Sequence, residues 1–160
     1  MCYLSGASSG TVVAGGNGGG TLNNQLNNPW GLYLDVSSNS LFMANSNAHN
    51  IVRWVLNAST WTLIAGAANG QFGSTSTLLN SPADITFDSS GNLYVADYNN
   101  HRIQLFLSGY VNGTTIAGTS GQSGSGSSLL NQPVSVTLDS NLNLYVVDTS
   151  NNRIQKFQRC

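Results

Sequence analysis

Apolar and polar residues alternate along this chain in short bursts, with no sustained three-to-four-residue spacing of the kind that marks an amphipathic helix. Between Pro82 and Phe106 the pattern is clearest. Ala83-Asp-Ile-Thr-Phe-Asp88 alternates, Leu93-Tyr-Val-Ala96 is apolar at nearly every position, and Arg102-Ile-Gln-Leu-Phe-Leu107 alternates again. The spacing predicts three strands joined by tight polar turns, one at Asp88-Ser-Ser-Gly-Asn92 and one around Asn99 and Asn100. Thr115-Ile-Ala-Gly118 reads as a fourth strand, stopped by its glycine. A strand that is apolar at successive positions is one covered on both faces.

The pattern repeats. Residues 92–106 return as residues 143–157 with ten of fifteen positions identical, and residues 40–54 form a weaker third copy. Loops rich in Gly, Ser and Asn end alike in Leu26-Asn-Asn-Pro29, Leu79-Asn-Ser-Pro82 and Leu130-Asn-Gln-Pro133. Each proline opens an alternating segment that closes on an aspartate, Asp35, Asp88 or Asp139. Residues 11–15, 63–66 and 115–118 match as short outer strands. A period of about fifty residues, four strands long, predicts an all-β fold, a β-propeller of three four-stranded blades. The 160 residues form one domain with repeats at about 11–62, 63–114 and 115–160. Because the chain starts on an outer strand and stops after a third strand, one blade is split between the termini. Three blades do not close on themselves. Two arrangements stand open: a segment of a longer propeller, or two copies joined head to tail as a six-bladed ring.

Pro82, the run Gly91-Asn-Leu-Tyr-Val-Ala-Asp97 and the run Asn100-His-Arg-Ile-Gln104 together resemble the NHL repeat family. The third copy meets most of that pattern. The first departs from it, with Asn45 for the aspartate, Asn50 for the arginine and one residue inserted near positions 36–40. The resemblance implies a ring of about six blades. It implies less about function, since the family includes extracellular sensor domains, RNA- or protein-binding modules and a peptidylglycine amide lyase.

Charge changes the picture mainly by exclusion. Only 7% of residues are charged and the net charge is −1, so no basic field is available to hold nucleic acid or an anionic membrane surface. No apolar run reaches the roughly eighteen residues of a membrane span. Sequons at Asn57 and Asn112 permit glycosylation in a secretory setting and tilt the expectation slightly towards an extracellular protein. Cys2 and Cys160 sit at the two ends, two incidental thiols or, in the head-to-tail pair, an intermolecular disulfide.

The candidate chemistry is sparse. Asp97 with Arg102, and Asp148 with Arg153, flank equivalent turns and read as structural pairs. The joint loss of both charges at Asn45 and Asn50 fits groups that satisfy each other. His49 and His101 occupy matching turns in no recognised ligand spacing, so no metal or other cofactor is expected, a calcium site built from Asp35, Asp88 and Asp139 being the weaker alternative. Propeller geometry gathers Trp30, Asn47, His49, Asp84, Tyr98, Asn99, His101, Thr149 and Asn151 on one loop-rich, neutral, amide-bearing face. The expectation is a non-enzymatic module that binds protein, peptide or glycan there. The alternatives are part of a metal-dependent propeller enzyme resembling the lyase, and a half-propeller that self-associates.

Overall fold

Four antiparallel strands, β1 (Pro29–Asp35), β2 (Ser40–Asn45), β3 (Asn50–Val55) and β4 (Thr62–Gly66), make the first sheet in sequential order. The second repeats it with β5 (Pro82–Phe87), β6 (Leu93–Asp97), β7 (Arg102–Phe106) and β8 (Gly113–Gly118). The third holds β9 (Pro133–Leu138), β10 (Leu144–Asp148) and β11 (Arg153–Phe157). These elements come from a computed structural model that describes residues 9–159.

The three sheets are propeller blades. Their first strands lie side by side, β1 against β5 and β5 against β9, and the remaining strands fan outward. Between the first and second blades Ala44, Ile51 and Ala65 meet Leu79, Ile85, Leu93, Val95 and Phe106. Between the second and third, Ala96, Ile103 and Ala117 meet Leu130, Val136, Leu144 and Val146. The uninterrupted apolar run of β6 is explained by these two contacts: Leu93 and Val95 face backward, Tyr94 and Ala96 forward, and all four are buried. Burying a side chain such as Ile51 or Ile103 contributes about 1.5–3 kcal/mol.

The recurrent Leu-Asn-x-Pro has a physical reason. Leu79 and Leu130 are fully buried where each loop enters its blade. The following residue donates its backbone N–H to the carboxylate at the end of the second strand, Asn80 to Asp97 at 2.7 Å and Asn131 to Asp148 at 2.6 Å. In the first blade Asn27 donates to the Asn45 amide oxygen at 2.6 Å.

Sheet boundaries fall one strand later than the repeat boundaries, as a chain that starts on an outer strand requires: residues 63–66 pair with β3 and so finish the first blade. One feature differs from the sequence pattern. Residues 11–15, predicted as a strand, belong to no strand, and Val12 and Val13 are exposed. The third sheet, whose fourth strand they match in sequence, therefore stops at three. Strand formation needs an edge to pair with, and among the described residues no strand pairs with this segment.

Candidate binding face

Between the second and third strands of each blade lies one 3-10 turn, Ser46–Ala48, Tyr98–Asn100 or Thr149–Asn151. Each ends on a left-handed residue, His49, His101 or Asn152, with φ between 52° and 56°. These turns and the loops that enter each blade share one end of the sheets. The sequons at Asn57 and Asn112 lie exposed at the other end, in the turns after β3 and β7.

Beneath this face each blade carries a polar latch. Arg102 donates from Nε to Asp97 Oδ2 at 2.8 Å, and both side chains are buried. The same guanidinium donates to the carbonyls of Ser74, Thr75 and Leu78 and to the hydroxyl of Ser120, so it fastens the loop that enters its own blade. Asn100 donates to Asp97 and to the Gly73 carbonyl. The third blade repeats the arrangement: Arg153 binds Asp148 at 2.8 Å and the carbonyls of Ser125, Gly126 and Leu129, and Asn151 binds Asp148 and Gly124. Burial pushes the Asp97 carboxyl up, against the pull of Asn80, Asn100 and Arg102. Burial also raises Asp148, but Asn151, the Asn131 N–H and Arg153 outweigh it and hold that carboxyl below its usual range. The third sheet lacks a fourth strand beside β11, so this latch is less deeply covered and its burial penalty is the one outweighed; Arg153 is 29% exposed against 3% for Arg102.

In the first blade the charges are gone and the Asn45 amide donates to the Asn50 side-chain oxygen at 3.2 Å. Trp61 takes over the loop: its Nε1 faces the carbonyls of Leu22 and Gln25 at 3.1 and 2.8 Å. The equivalent position in the second blade is Gly113, where any side chain would strike Phe106 and Gln104. Two blades thus hold their loops by Arg and one by Trp, an exchange that single-copy inspection does not reveal.

The two histidines couple neighbouring blades. His49 Nδ1 accepts the Ser81 N–H at 3.0 Å and His101 Nδ1 accepts the Gln132 N–H at 3.1 Å. Desolvation lowers both imidazoles below their ordinary value of 6.5, and Asp148 partly offsets this for His101. With Nδ1 occupied as an acceptor, the neutral ring carries its proton on Nε2 and keeps no lone pair free for a metal. Among the described residues no three His, Cys, Asp or Glu side chains gather at one point. Asp88 and Asp139 are engaged by turn groups, Asp88 by the N–H of Ser90 and Asn92 and by the Asn92 amide, Asp139 by Asn141 and Asn143 in the same way. Asp35 instead takes the N–H of Ser37 and the hydroxyls of Ser37 and Ser38, as the one-residue insertion there requires.

Of the nine residues expected on this face, five are open to solvent or partly so without a latch role: Trp30, Asn47, Tyr98, Asn99 and Thr149. Trp30 and Tyr98, from adjacent blades, meet edge to face with centroids 5.8 Å apart, and Trp30 remains 48% exposed. His49, His101 and Asn151 are committed to the framework. Asp84 lies in the seam between the second and third blades, where Oδ2 accepts the Ser135 hydroxyl at 2.6 Å and the Val136 N–H at 3.2 Å. Phe72, 62% exposed and 5.3 Å from the His49 ring, joins the face, where the equivalent loop of the next copy carries Ser123. A second concavity of about 650 Å³ opens at the opposite end between the first two blades, beside Tyr33, Phe42, Phe87 and Tyr110. Cys2 and Cys160 lie outside the described residues.

Residues 79–106 and 130–157 both match the NHL repeat model. These segments are NHL repeats. No curated protein sequence matches the chain. Among solved structures the chain is similar to an auxiliary nutrient binding protein from Bacteroides thetaiotaomicron, with a TM-score of 0.63 and 20% identity over 78% of this chain and 36% of that one. It is similar also to an auxiliary nutrient binding protein from Bacteroides ovatus, at a TM-score of 0.60 and 16% identity over 78% of this chain and 36% of that one. Virginiamycin B lyase from Staphylococcus aureus follows at 0.51 and 18%, over 81% of this chain and 41% of the lyase. At such identities the likeness establishes the propeller fold. The chain spans about a third of the length of the two nutrient binding proteins.

Proposed function

We propose that this NHL chain is a non-enzymatic binding module that takes an uncharged peptide segment or glycan on the face carrying the 3-10 turns. The observation that supports it is the Trp30–Tyr98 pair: two aromatic rings from adjacent blades, Trp30 half open to solvent and Tyr98 partly so, among amide and hydroxyl side chains. Aromatic rings beside hydrogen-bonding amides suit sugar faces and peptide side chains. Arg102 is buried in its latch, so the face offers little to attract a polyanion.

Fold likeness does not choose the function, since the similar structures are described as nutrient binding proteins and as a lyase. The enzymatic reading needs imidazole ligands, and both histidines use Nδ1 to accept a backbone N–H. Metal analysis of purified protein separates the classes, with stoichiometric zinc or calcium favouring the enzyme. The binding reading is tested by selecting ligands from a random peptide library and a glycan array, then repeating the measurement with Trp30→Ala and Tyr98→Ala. Loss of at least tenfold in affinity for either variant, with melting temperature unchanged, is expected. Selected ligands indifferent to both substitutions would overturn it.

A further inference from the structure

The concavity between the first two blades opens at the end of the sheets opposite the 3-10 turns and shares no residue with the Trp30–Tyr98 face. It encloses about 650 Å³, inside the roughly 300–1,000 Å³ of cavities that take small molecules. Both of its walls belong to four-stranded sheets, so it stands clear of the two ends of the chain.

The matching seam between the second and third blades explains why this one is open. There the hollow shrinks to about 410 Å³, and Leu142 lines it. The equivalent position in the first seam is Gly91, with φ +77° against +61° for Leu142. Packing does not demand a glycine there: a Cβ would meet the side chain of Ser108 no closer than 3.5 Å, an ordinary contact. The absent side chain leaves a mouth. The turn after β7 adds a wall, carrying Tyr110 and Val111 where the turn after β3 has Ala58 and Ser59. Those two side chains stay 67% and 69% exposed. Mouth and wall are thus particular to this seam and not a by-product of the repeat.

Within it, aromatic and acidic groups line one space. Phe87 lies 4.9 Å from Tyr33 and meets Phe42 edge to face at 4.8 Å. Asp35, at the end of β1, and Asp88, just past β5, are the carboxylates of the lining. Asp88 is saturated by four donors, the N–H groups of Ser90 and Asn92, the Asn92 amide and the Tyr94 hydroxyl. Asp35 keeps acceptor capacity. The first blade has Phe42 where the second has Tyr94, so no ring hydroxyl reaches Asp35, and its Oδ2 takes the Ser38 hydroxyl alone among the described residues. The Ser37 and Ser38 hydroxyls hold that carboxyl below its usual range, so it is charged at neutral pH. Among the described residues the ion pairs are Asp97–Arg102 and Asp148–Arg153, and neither Asp35 nor Asp88 takes part in one. Arg53 lies over the Phe42 ring at 5.9 Å and donates from Nε to Ser40, outside the lining. Aromatic rings beside a carboxylate without a counter-ion attract an organic cation and repel an anion.

We propose that this concavity is a second binding site, for a small amphipathic amine. An aryl or alkyl body sits against Phe42, Phe87 and Leu107, and the ammonium group donates to Asp35 Oδ2.

Dansylcadaverine, an aromatic body on a primary amine, and its N-acetyl derivative, which keeps the body and loses the charge, test this by fluorescence titration of the purified chain. The amine is expected to bind saturably, one per chain, and at least tenfold more tightly than the acetylated compound. Asp35→Asn is expected to remove that difference while leaving the acetylated compound as it was. Gly91→Leu supplies the side chain that Leu142 places in the other seam and is expected to abolish binding with near-UV circular dichroism retained. Tyr110→Ala with Val111→Ser copies the turn of the first blade at exposed positions, so it keeps the fold and is expected to weaken both compounds. Absence of saturable binding, equal affinity for the two compounds, or binding that survives Gly91→Leu or the turn variant unchanged would overturn the proposal.

Discussion

The Asp97 carboxylate and the Arg102 guanidinium meet at 2.8 Å with almost no solvent on either side, and between them they hold the ends of two strands and the loop above. Asp97→Ala leaves a buried cation facing nothing and is expected to cost about 3–5 kcal/mol in chemical denaturation. The double replacement Asp97→Asn with Arg102→Asn copies the Asn45–Asn50 pair and is expected to cost clearly less, since no lone charge remains. Equal losses for the single and double variants would contradict the latch.

Stability is expected to fall as the solution is acidified from pH 7.5 to 5. Both imidazoles have folded-state values below 6.5, so their contribution is complete above that value and is lost as the pH drops through it, when the unfolded chain takes up protons more readily. Protonating Nδ1 also removes the acceptor used by Ser81 or Gln132. His49→Asn with His101→Asn keeps a residue type that tolerates the left-handed turn, as Asn152 does, and is expected to flatten the melting-temperature profile between those pH values.

Trp61→Phe keeps most of the apolar surface and deletes the donor to the Leu22 and Gln25 carbonyls. A loss of about 1–2 kcal/mol is expected. Limited proteolysis is expected to cut residues 16–28 first in that variant, and an unchanged cleavage map would remove Trp61 from this role.

Gly118→Ala and Gly109→Ala both place a side chain at positive φ, at +79° and +82°. Only the first forces a Cβ into the His101 carbonyl oxygen, whereas nothing lies within 4 Å of the second. About 1 kcal/mol is expected for Gly109→Ala from backbone conformation alone, and at least twice that for Gly118→Ala.

The blades were legible because their period is short and their signals local. Proline at the start of β5, apolar residues on both faces of β6 and glycine at the end of β8 each act within one strand. The Asp97–Arg102 relationship could be read from five residues of separation and its joint loss in another copy. Less local relations were hidden. His49 looks like a surface ligand until Ser81, 32 positions away, is seen to donate to it. Trp61 gains its task from a loop 36 positions earlier, and Phe72 stands where the equivalent loop has Ser123, so no repeat signal marks it. Residues 11–15 have the composition of a strand, but strandedness depends on an edge that composition does not supply.

Arg102 grips the loop through the carbonyls of Ser74, Thr75 and Leu78, and Arg153 grips its own loop through those of Ser125, Gly126 and Leu129. A carbonyl belongs to every amino acid, so these anchors impose path without imposing identity. Evolution, or a library randomised at positions 74–77, is therefore free to rewrite the rim while the framework below stays unaltered.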